Sequence, residues 1–266
     1  MTTPNSALPK QFALDLSQPQ KATLNNFLAT GNAALLSHLH SLVSRWEINP
    51  TDTSLHALND RWLYWWGALG SGRTHLLSAL NNVAELLHLQ HFALQANEPV
   101  SWVSLEEKLL HLRSQEQAII ITVDDVDQLD ERLSAALFRI LNLVHDSCNL
   151  HVFMAGNRAP AGLQLREDLR TRLAWGLVFQ VQPLSDEEKM QALQQAATER
   201  GLNLSPEVLP WLLQRFYRDM PNLMALLDAL DAYSLEMKRA VTLPLVRELL
   251  QIQPHTTNNS TLGNAG

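Results

Sequence analysis

The sequence predicts an α/β chain: a doubly wound parallel sheet followed by a C-terminal block built only of helices. Three observations carry this. Short apolar runs alternate with segments of helical periodicity as far as Pro183, a glycine-rich turn joins the first run to a helix, and beyond Pro183 the β pattern stops. Strands buried on both faces read as unbroken apolar runs, and open sheets of this kind bind ligands at the carboxyl ends of their strands.

Residues 1–30 carry Pro4, Pro9 and Pro19 among polar residues and read as a flexible leader, interrupted by the apolar hexapeptide Gln11-Phe12-Ala13-Leu14-Asp15-Leu16. From Ala33 to Trp46 the residues Leu35, Leu36, Leu39, Leu42, Val43 and Trp46 recur at three- and four-residue steps, which gives a helix one buried stripe. Glu47 to Asp60 is polar and reads as a loop. Arg61 to Trp66 reads as an aromatic-rich strand. After the glycine-rich turn, a helical pattern runs through Leu76, Leu77, Leu80, Val83, Ala84 and Leu87. Val100–Val103, Ala118–Val123, Leu150–Ala155 and Leu177–Val181 are the remaining strand candidates.

These elements place an α/β base at residues 31–183. The helical lid spans residues 184–253, and a disordered polar tail follows at residues 254–266. Within the lid, Ser185-Asp186-Glu187-Glu188 fits a capping box and Ser205-Pro206 opens a second helix with proline at its first position. Asp219–Met237 forms a third helix, and Thr242-Leu243-Pro244 begins the last. At 266 residues and 46% hydrophobic, the chain is long enough to bury such a base with an appendage.

Charge and cysteine content narrow the function classes. A formal net charge of −7 argues against a surface that grips nucleic acid phosphates, which needs a basic patch. Cys148 is the single cysteine, so an intramolecular disulfide framework and a Cys-rich zinc site are excluded; its apolar neighbourhood reads as a buried thiol. No apolar run approaches the roughly 20 residues of a membrane span, and the start does not read as a signal peptide, so a cytoplasmic protein is expected. His38 with His40 and His88 with His91 lack nearby carboxylates and read as surface or partly buried histidines.

The strongest motif is Gly67-Ala68-Leu69-Gly70-Ser71-Gly72-Arg73-Thr74. It follows a strand, opens a helix and fits GxxxxGK[ST] except for Arg73 in place of lysine. Gly67, Gly70, Ser71 and Gly72 let successive N–H groups converge on phosphate oxygens at a helix N-terminus, and the Thr74 hydroxyl can ligate Mg²⁺. A guanidinium is larger and forked where an ammonium is a compact charge, so nucleotide binding (ADP or ATP) should survive better than hydrolysis. Ile119–Val123 ends in Asp124 and Asp125. The first can hold Mg²⁺ through water, and the second can orient an attacking water. Leu150–Ala155 leads to Gly156-Asn157, where Asn157 either senses the γ-phosphate region or serves a turn. Arg172 lies between apolar residues at the end of a segment, a position that in isolation suits a surface ion pair.

With these pieces in order, the chain resembles the AAA+ core of the DnaA family, and within it the short DnaA-homologous proteins that inactivate the initiator. The resemblance runs from about Gln11 to Gln251. It rests on Gly70-Ser71-Gly72-Arg73-Thr74-His75-Leu76-Leu77, Gly156-Asn157-Arg158-Ala159-Pro160, Arg172-Leu173-Ala174-Trp175-Gly176 and Gln182-Pro183-Leu184-Ser185-Asp186-Glu187-Glu188-Lys189. It implies a P-loop with the same Arg substitution. It also implies a leader whose Gln11, Leu14 and Leu16 dock on the β sliding clamp, the alternative being that they pack back on the domain. Arg172 would be an arginine finger reaching the ATP of a neighbouring DnaA initiator. DNA would be met only indirectly, through the clamp; no membrane is involved, and the family also allows a homo-oligomer. The initiator's DNA-binding helix-turn-helix is not expected after the lid.

Three departures stand out against the family pattern. Pro221 occupies the place of the lid arginine, with Arg218 nearby. The Glu47–Asp60 loop is long, and Asp125 stands where close relatives often carry an amide, which leaves room for intrinsic hydrolysis. The competing expectation is an autonomous AAA+ ATPase of helicase-loader or clamp-loader type.

Overall fold

The computed structural model describes residues 21–28, 31–49, 61–215 and 220–251. The hexapeptide with Gln11, Leu14 and Leu16, residues 50–60 of the long loop, Arg218 and the polar tail lie outside the described residues, as does the side chain of Pro221.

Five strands form one parallel sheet: β1 (Trp62–Trp66), β2 (Gln90–Leu94), β3 (Ile119–Val123), β4 (Leu150–Gly156) and β5 (Leu177–Gln180), in spatial order β2-β3-β4-β1-β5. The register places Trp62 opposite Val152, Leu63 opposite Leu177, and Ile119 opposite Leu150. In β3 and β4 every side chain is buried, because alternate residues enter different layers of helices. On one face Leu63, Trp65, Ile120 and Phe153 pack with α1 (Ala33–Ile48) and α2 (Arg73–Leu86). On the other, Trp62, Tyr64, Ile121, Val152 and Met154 pack with α3 (Leu105–Leu112), α4 (Glu131–His145) and α5 (Glu167–Leu173).

Local signals account for the element ends. The Asp130 carboxylate accepts a hydrogen bond from the Leu133 N–H at 2.7 Å and so caps α4. At the other end of α4, the buried Arg61 guanidinium donates to the carbonyls of Val144 and His145, groups that a helix C-terminus leaves unsatisfied. Burial depresses the Arg61 pKa from its usual value.

The second unit, from Asp186, is built of α6 (Asp186–Glu199), α7 (Val208–Arg215), α8 (Met220–Met237) and α9 (Leu243–Gln251). Its core is Leu193, Leu209, Leu212, Leu227, Leu230 and Leu245 with their neighbours. No helix among the described residues is long and apolar enough to cross a membrane.

Several expectations are corrected. Val100–Val103 is no strand: Pro99–Trp102 is a 3-10 turn, with Val100 84% and Val103 60% exposed. The sheet's remaining strand is β2, at its edge, with Gln90, His91 and Ala93 exposed. Cys148 is exposed, because it lies in the turn between α4 and β4. Helix α1 continues two residues into the expected loop, to Ile48. Pro206 sits in a turn closed by the Val208 N–H on the Ser205 carbonyl, and α7 starts only at Val208. Within residues 21–28, part of the expected leader, Leu24 is 5% exposed in the core formed with α1 and α2.

Candidate nucleotide site

Strand β1 lies between β4 and β5, and its carboxyl end delivers Gly67 against both neighbours. The Gly67 N–H donates to the Gly156 carbonyl at 3.3 Å, and a Cβ on Gly67 would stand 2.5 Å from the Val181 carbonyl oxygen. The Ser71 N–H closes a turn on the Ala68 carbonyl at 3.1 Å. Gly70 and Gly72 take φ of +79° and +96°, a region that side chains other than glycine rarely enter. Gly72 is the N-cap of α2 and contributes no side-chain cap, so the helix opens with free N–H groups directed out of its first turn. Trp65, fully buried, donates from its indole N–H to the Arg73 carbonyl at 3.2 Å and fixes that turn to the sheet.

This cradle fits the phosphates of a nucleotide. Among the described residues the buried Ser71 Oγ and one buried Arg73 guanidinium nitrogen have no hydrogen-bond partner, a costly arrangement unless an acceptor arrives. Thr74 is exposed on the first turn of α2. Gly67, Gly70, Ser71, Gly72 and Arg73 thus lie together in the turn between the carboxyl end of β1 and the start of α2.

Asp124 and Asp125 follow the buried strand β3. The Asp124 N–H donates to the Leu94 carbonyl at 2.9 Å, continuing the β2 pairing, while its carboxylate accepts the Asp125 N–H at 2.9 Å. That bond turns the chain into the left-handed region at Asp125, φ +48°. Arg73 approaches Asp125, Nη2 to Oδ1 3.9 Å. Partial desolvation, with Asp124 beside it, raises the Asp125 pKa above the usual carboxylate range; Arg73 opposes the shift and Asp127 adds to it.

Asn157 leaves the end of β4 with its N–H donating to the Asp127 carboxylate at 2.8 Å, its side chain exposed. Tyr64, wholly buried, crosses beneath and donates from its hydroxyl to the Arg158 carbonyl at 2.6 Å. A Cβ on Gly156 would come within 2.3 Å of that hydroxyl, which explains the glycine. Burial, then the Asp127 charge, push the Tyr64 pKa upward, keeping it a neutral donor. Asp127 and Tyr64 were not foreseen, because both act through chain far away in sequence.

Residues 21–28 add a further wall. His75 Nε2 hydrogen-bonds the Thr23 carbonyl at 3.0 Å, Asn82 donates to the Ala22 carbonyl at 2.8 Å, and Lys21 pairs with Glu85 at 3.0 Å. The Phe27 ring lies so close to the P-loop that a Cβ on Gly72 would be 2.5 Å from it. Burial lowers the His75 pKa, partly offset by the Thr23 carbonyl.

Arg172 belongs to a different surface. Helix α4 presents Phe138, Asn142 and His145 at i, i+4 and i+7 spacing, one face of a helix. The Arg172 guanidinium carbon lies 4.1 Å from the Phe138 ring centre and 4.7 Å from that of Trp175, and its Nη1 donates to the Asn142 side-chain carbonyl. It borders an open hollow of about 520 Å³, lined by Phe138, Glu167, Asp168, Thr171 and Trp175. The side chain is therefore half-buried but faces the surface.

Residues 20–180 match the family model of the bacterial DnaA ATPase domain, and residues 186–250 that of the Hda lid domain. A Haemophilus influenzae protein, itself described only as uncharacterized, is 33% identical over 246 residues, spanning 91% of this chain and 99% of its own length. Domain III of the Thermotoga maritima replication initiation protein DnaA superposes with a TM-score of 0.61 at 22% identity, covering 89% of this chain and 100% of that one. AMPPCP-bound DnaA from Aquifex aeolicus gives 0.59 at 22% identity, covering 81% and 67%. A Thermotoga maritima RuvB variant gives 0.57 at 13%, covering 88% and 72%. At these identities the solved structures show a shared fold.

Proposed function

We propose that this chain, which belongs to the bacterial DnaA ATPase family of AAA+ proteins and carries an Hda lid, regulates the initiation of chromosome replication by promoting hydrolysis of ATP bound to the DnaA initiator. It would do so together with the DNA-loaded sliding clamp. The observation that carries the reading is the setting of Arg172. Its guanidinium donates to a neutral amide and lies over two aromatic rings, at the edge of an open hollow whose wall also carries Glu167 and Asp168, so it is held at the surface where a partner's phosphate could reach it. Phosphoryl transfer spreads negative charge over oxygens that such a group can contact in two places, and fingers of this kind contribute on the order of 10³–10⁵ in rate.

The chain's own nucleotide site serves as a holding site. Gly67, Gly70, Ser71 and Gly72 supply backbone donors to ADP or ATP phosphates, and Arg73 adds its unpartnered nitrogen. Thr74 and Asp124 are the residues that would hold Mg²⁺, whose charge would offset that of the phosphates. Asp125 is the group available to orient a water, and Asn157, at the end of β4, is the second polar candidate. Arg73 stands against that carboxylate and draws on its charge, which favours slow turnover in this site.

Replacing Arg172 by Ala is expected to leave nucleotide occupancy and clamp capture intact while reducing DnaA-bound ATP hydrolysis to the level without this protein. Retained stimulation refutes the role. Clamp capture tests Gln11, Leu14 and Leu16 separately, since the double change Leu14→Ala with Leu16→Ala should abolish it. One residue favours the second reading, an autonomous ATPase of helicase-loader or clamp-loader type: Asp125 retains a carboxylate. Robust turnover by the isolated chain, lost in Asp125→Asn, would establish it.

A further inference from the structure

We infer that Trp175 is a positioning residue for the Arg172 guanidinium, the outer wall of a slot that holds it extended before any partner arrives. The inference rests on the trans-acting role proposed above.

Arg172 and Trp175 are three residues apart across the last turn of α5, and the Trp175 N–H donates to the Arg172 carbonyl at 3.0 Å, so a single tightened turn sets both side chains. The guanidinium carbon lies over both the Phe138 ring and the Trp175 ring, at 4.1 and 4.7 Å from their centres. A cation packed over two rings loses rotational freedom to a quadrupole and not to a counter-ion. Asn142 then fixes the direction of one nitrogen.

What makes Trp175 a wall instead of a loose surface ring is the chain behind it. Its indole packs on Trp62 at 5.8 Å between ring centres and on His145 at 5.2 Å. Trp62 is the first residue of β1 and is fully buried. The next residue, Gly176, lies so close to the Trp62 backbone that a Cβ there would be 1.8 Å from its carbonyl oxygen. His145 is itself held through its carbonyl by the buried Arg61. The position of the indole is thus set by the sheet and by the end of α4, while 39% of Trp175 remains exposed beside the hollow. Arg172-Leu173-Ala174-Trp175-Gly176 reads as one device: the glycine brings the chain onto β1, the tryptophan stacks there, and the arginine lies against the tryptophan.

Two measurements test this. In the isolated protein, ¹⁵N relaxation at Arg172 Nε should report an ordered side chain in the parent and in Trp175→Phe, and a mobile one in Trp175→Ala. In the stimulated reaction with ATP-loaded DnaA, clamp and DNA, Trp175→Ala should lower the rate at saturating protein roughly 5- to 30-fold, the range expected for losing one partly desolvated cation–ring contact. The concentration giving half-maximal stimulation should change by less than about 3-fold, since the loss falls on kcat rather than on association. Trp175→Phe should recover most of the rate. Trp175→Leu covers the same apolar surface without a ring and should behave like Trp175→Ala; it also guards against a misfolded alanine variant.

An unchanged Arg172 order parameter in both non-aromatic variants overturns the inference, as does an effect confined to the half-maximal concentration, which would make Trp175 a contact residue. Failure of Arg172→Ala to abolish stimulation would instead overturn the trans role and leave the relaxation result to judge the slot.

Discussion

Gly176 offers a perturbation whose size follows from the structure. In Gly176→Ala the new Cβ would stand 1.8 Å from the Trp62 carbonyl oxygen, 2.7 Å from its carbon and 2.8 Å from its Cβ. The first two are main-chain atoms of β1, which is paired on both sides, so no rotamer change relieves the contact. The separation must open to at least 3.0 Å, and drawing β5 away from β1 at the pair Leu63–Leu177 is the movement that relieves it. Hydrogen bonds stretched by more than 1 Å are lost. Two such bonds at about 1 kcal/mol each, with about 1–2 kcal/mol of packing strain, give about 3–4 kcal/mol. For a unit of this size about 1 kcal/mol moves Tm by roughly 2–4 °C, so a fall of about 10 °C is expected. Gly70→Ala is the control for backbone conformation alone, with φ +79° and no atom within 4 Å; about 1–2 kcal/mol and a fall of about 4 °C should follow. Gly162→Ala meets its nearest neighbour at an ordinary 3.7 Å and should melt within about 1 °C of the parent. Tryptophan fluorescence is the assay, since Trp46, Trp62, Trp65, Trp66, Trp102 and Trp175 belong to the α/β unit and only Trp211 to the helical one. A Gly176→Ala protein melting within 2 °C of the parent, or one more stable than Gly70→Ala, would refute the steric argument.

Two further perturbations probe the nucleotide site. Because the folded-state pKa of Asp125 is raised, the native protein favours its protonated form, and a destabilising contribution develops as pH climbs through the interval between the unfolded and folded values. Asp125→Asn should therefore raise Tm at neutral pH, with a gain that shrinks on acidification. Any gain due to the left-handed backbone at φ +48°, which Asn also tolerates, would be independent of pH. Parallel melts across pH 4–8 check this, and a gain that grows toward acid contradicts it. Arg73→Lys removes the fork that faces Asp125 and should leave nucleotide affinity within about 3-fold while raising the chain's own single-turnover hydrolysis at least about 10-fold, as expected for freeing a group that orients water. Unchanged hydrolysis with retained binding would show that Arg73 does not restrain Asp125.

The elements most legible in the sequence were those whose environment is uniform along the strand. The strands β3 and β4 are buried at every position, so Ile119–Val123 and Leu150–Gly156 appear as apolar runs, each interrupted by a single buried polar residue, Thr122 and His151. The edge strand β2 shares its burial with solvent, and Gln90-His91-Phe92-Ala93-Leu94 therefore carries no such signal, whereas Val100–Val103 carries it without being a strand. The same distinction applies to the site. The P-loop is local, and glycine spacing alone specifies its turn. Asp127, Tyr64 and Phe27 act through the Asn157 N–H, the Arg158 carbonyl and the face of Gly72, partners 30 residues or more away, so nothing in their immediate neighbours marks them. Cys148 misleads for a related reason: its apolar neighbours are buried by α4 and β4, and the turn joining them leaves the thiol outside.

Two arginines give the charge argument its sharpest form. Arg73 is 8% exposed, and with Asp125 3.9 Å from one of its nitrogens part of its field at a phosphate in its own site is offset by that carboxylate. Arg172 contacts an amide and two rings, none of which carries charge, beside an open hollow on whose wall Glu167 and Asp168 also stand. Field strength at a reacting oxygen depends on what else neutralises the cation, so one residue type serves opposite ends in the two places. The outward arginine retains the charge that transfer on a neighbour's nucleotide would call for. Introducing a carboxylate at Asn142 beside the second arginine should weaken its influence: Asn142→Asp keeps the geometry of the slot yet offsets the Arg172 charge, and stimulation of DnaA-bound ATP hydrolysis should fall with Arg172 still ordered. Undiminished stimulation in that variant would mean that geometry and not charge is what Arg172 contributes.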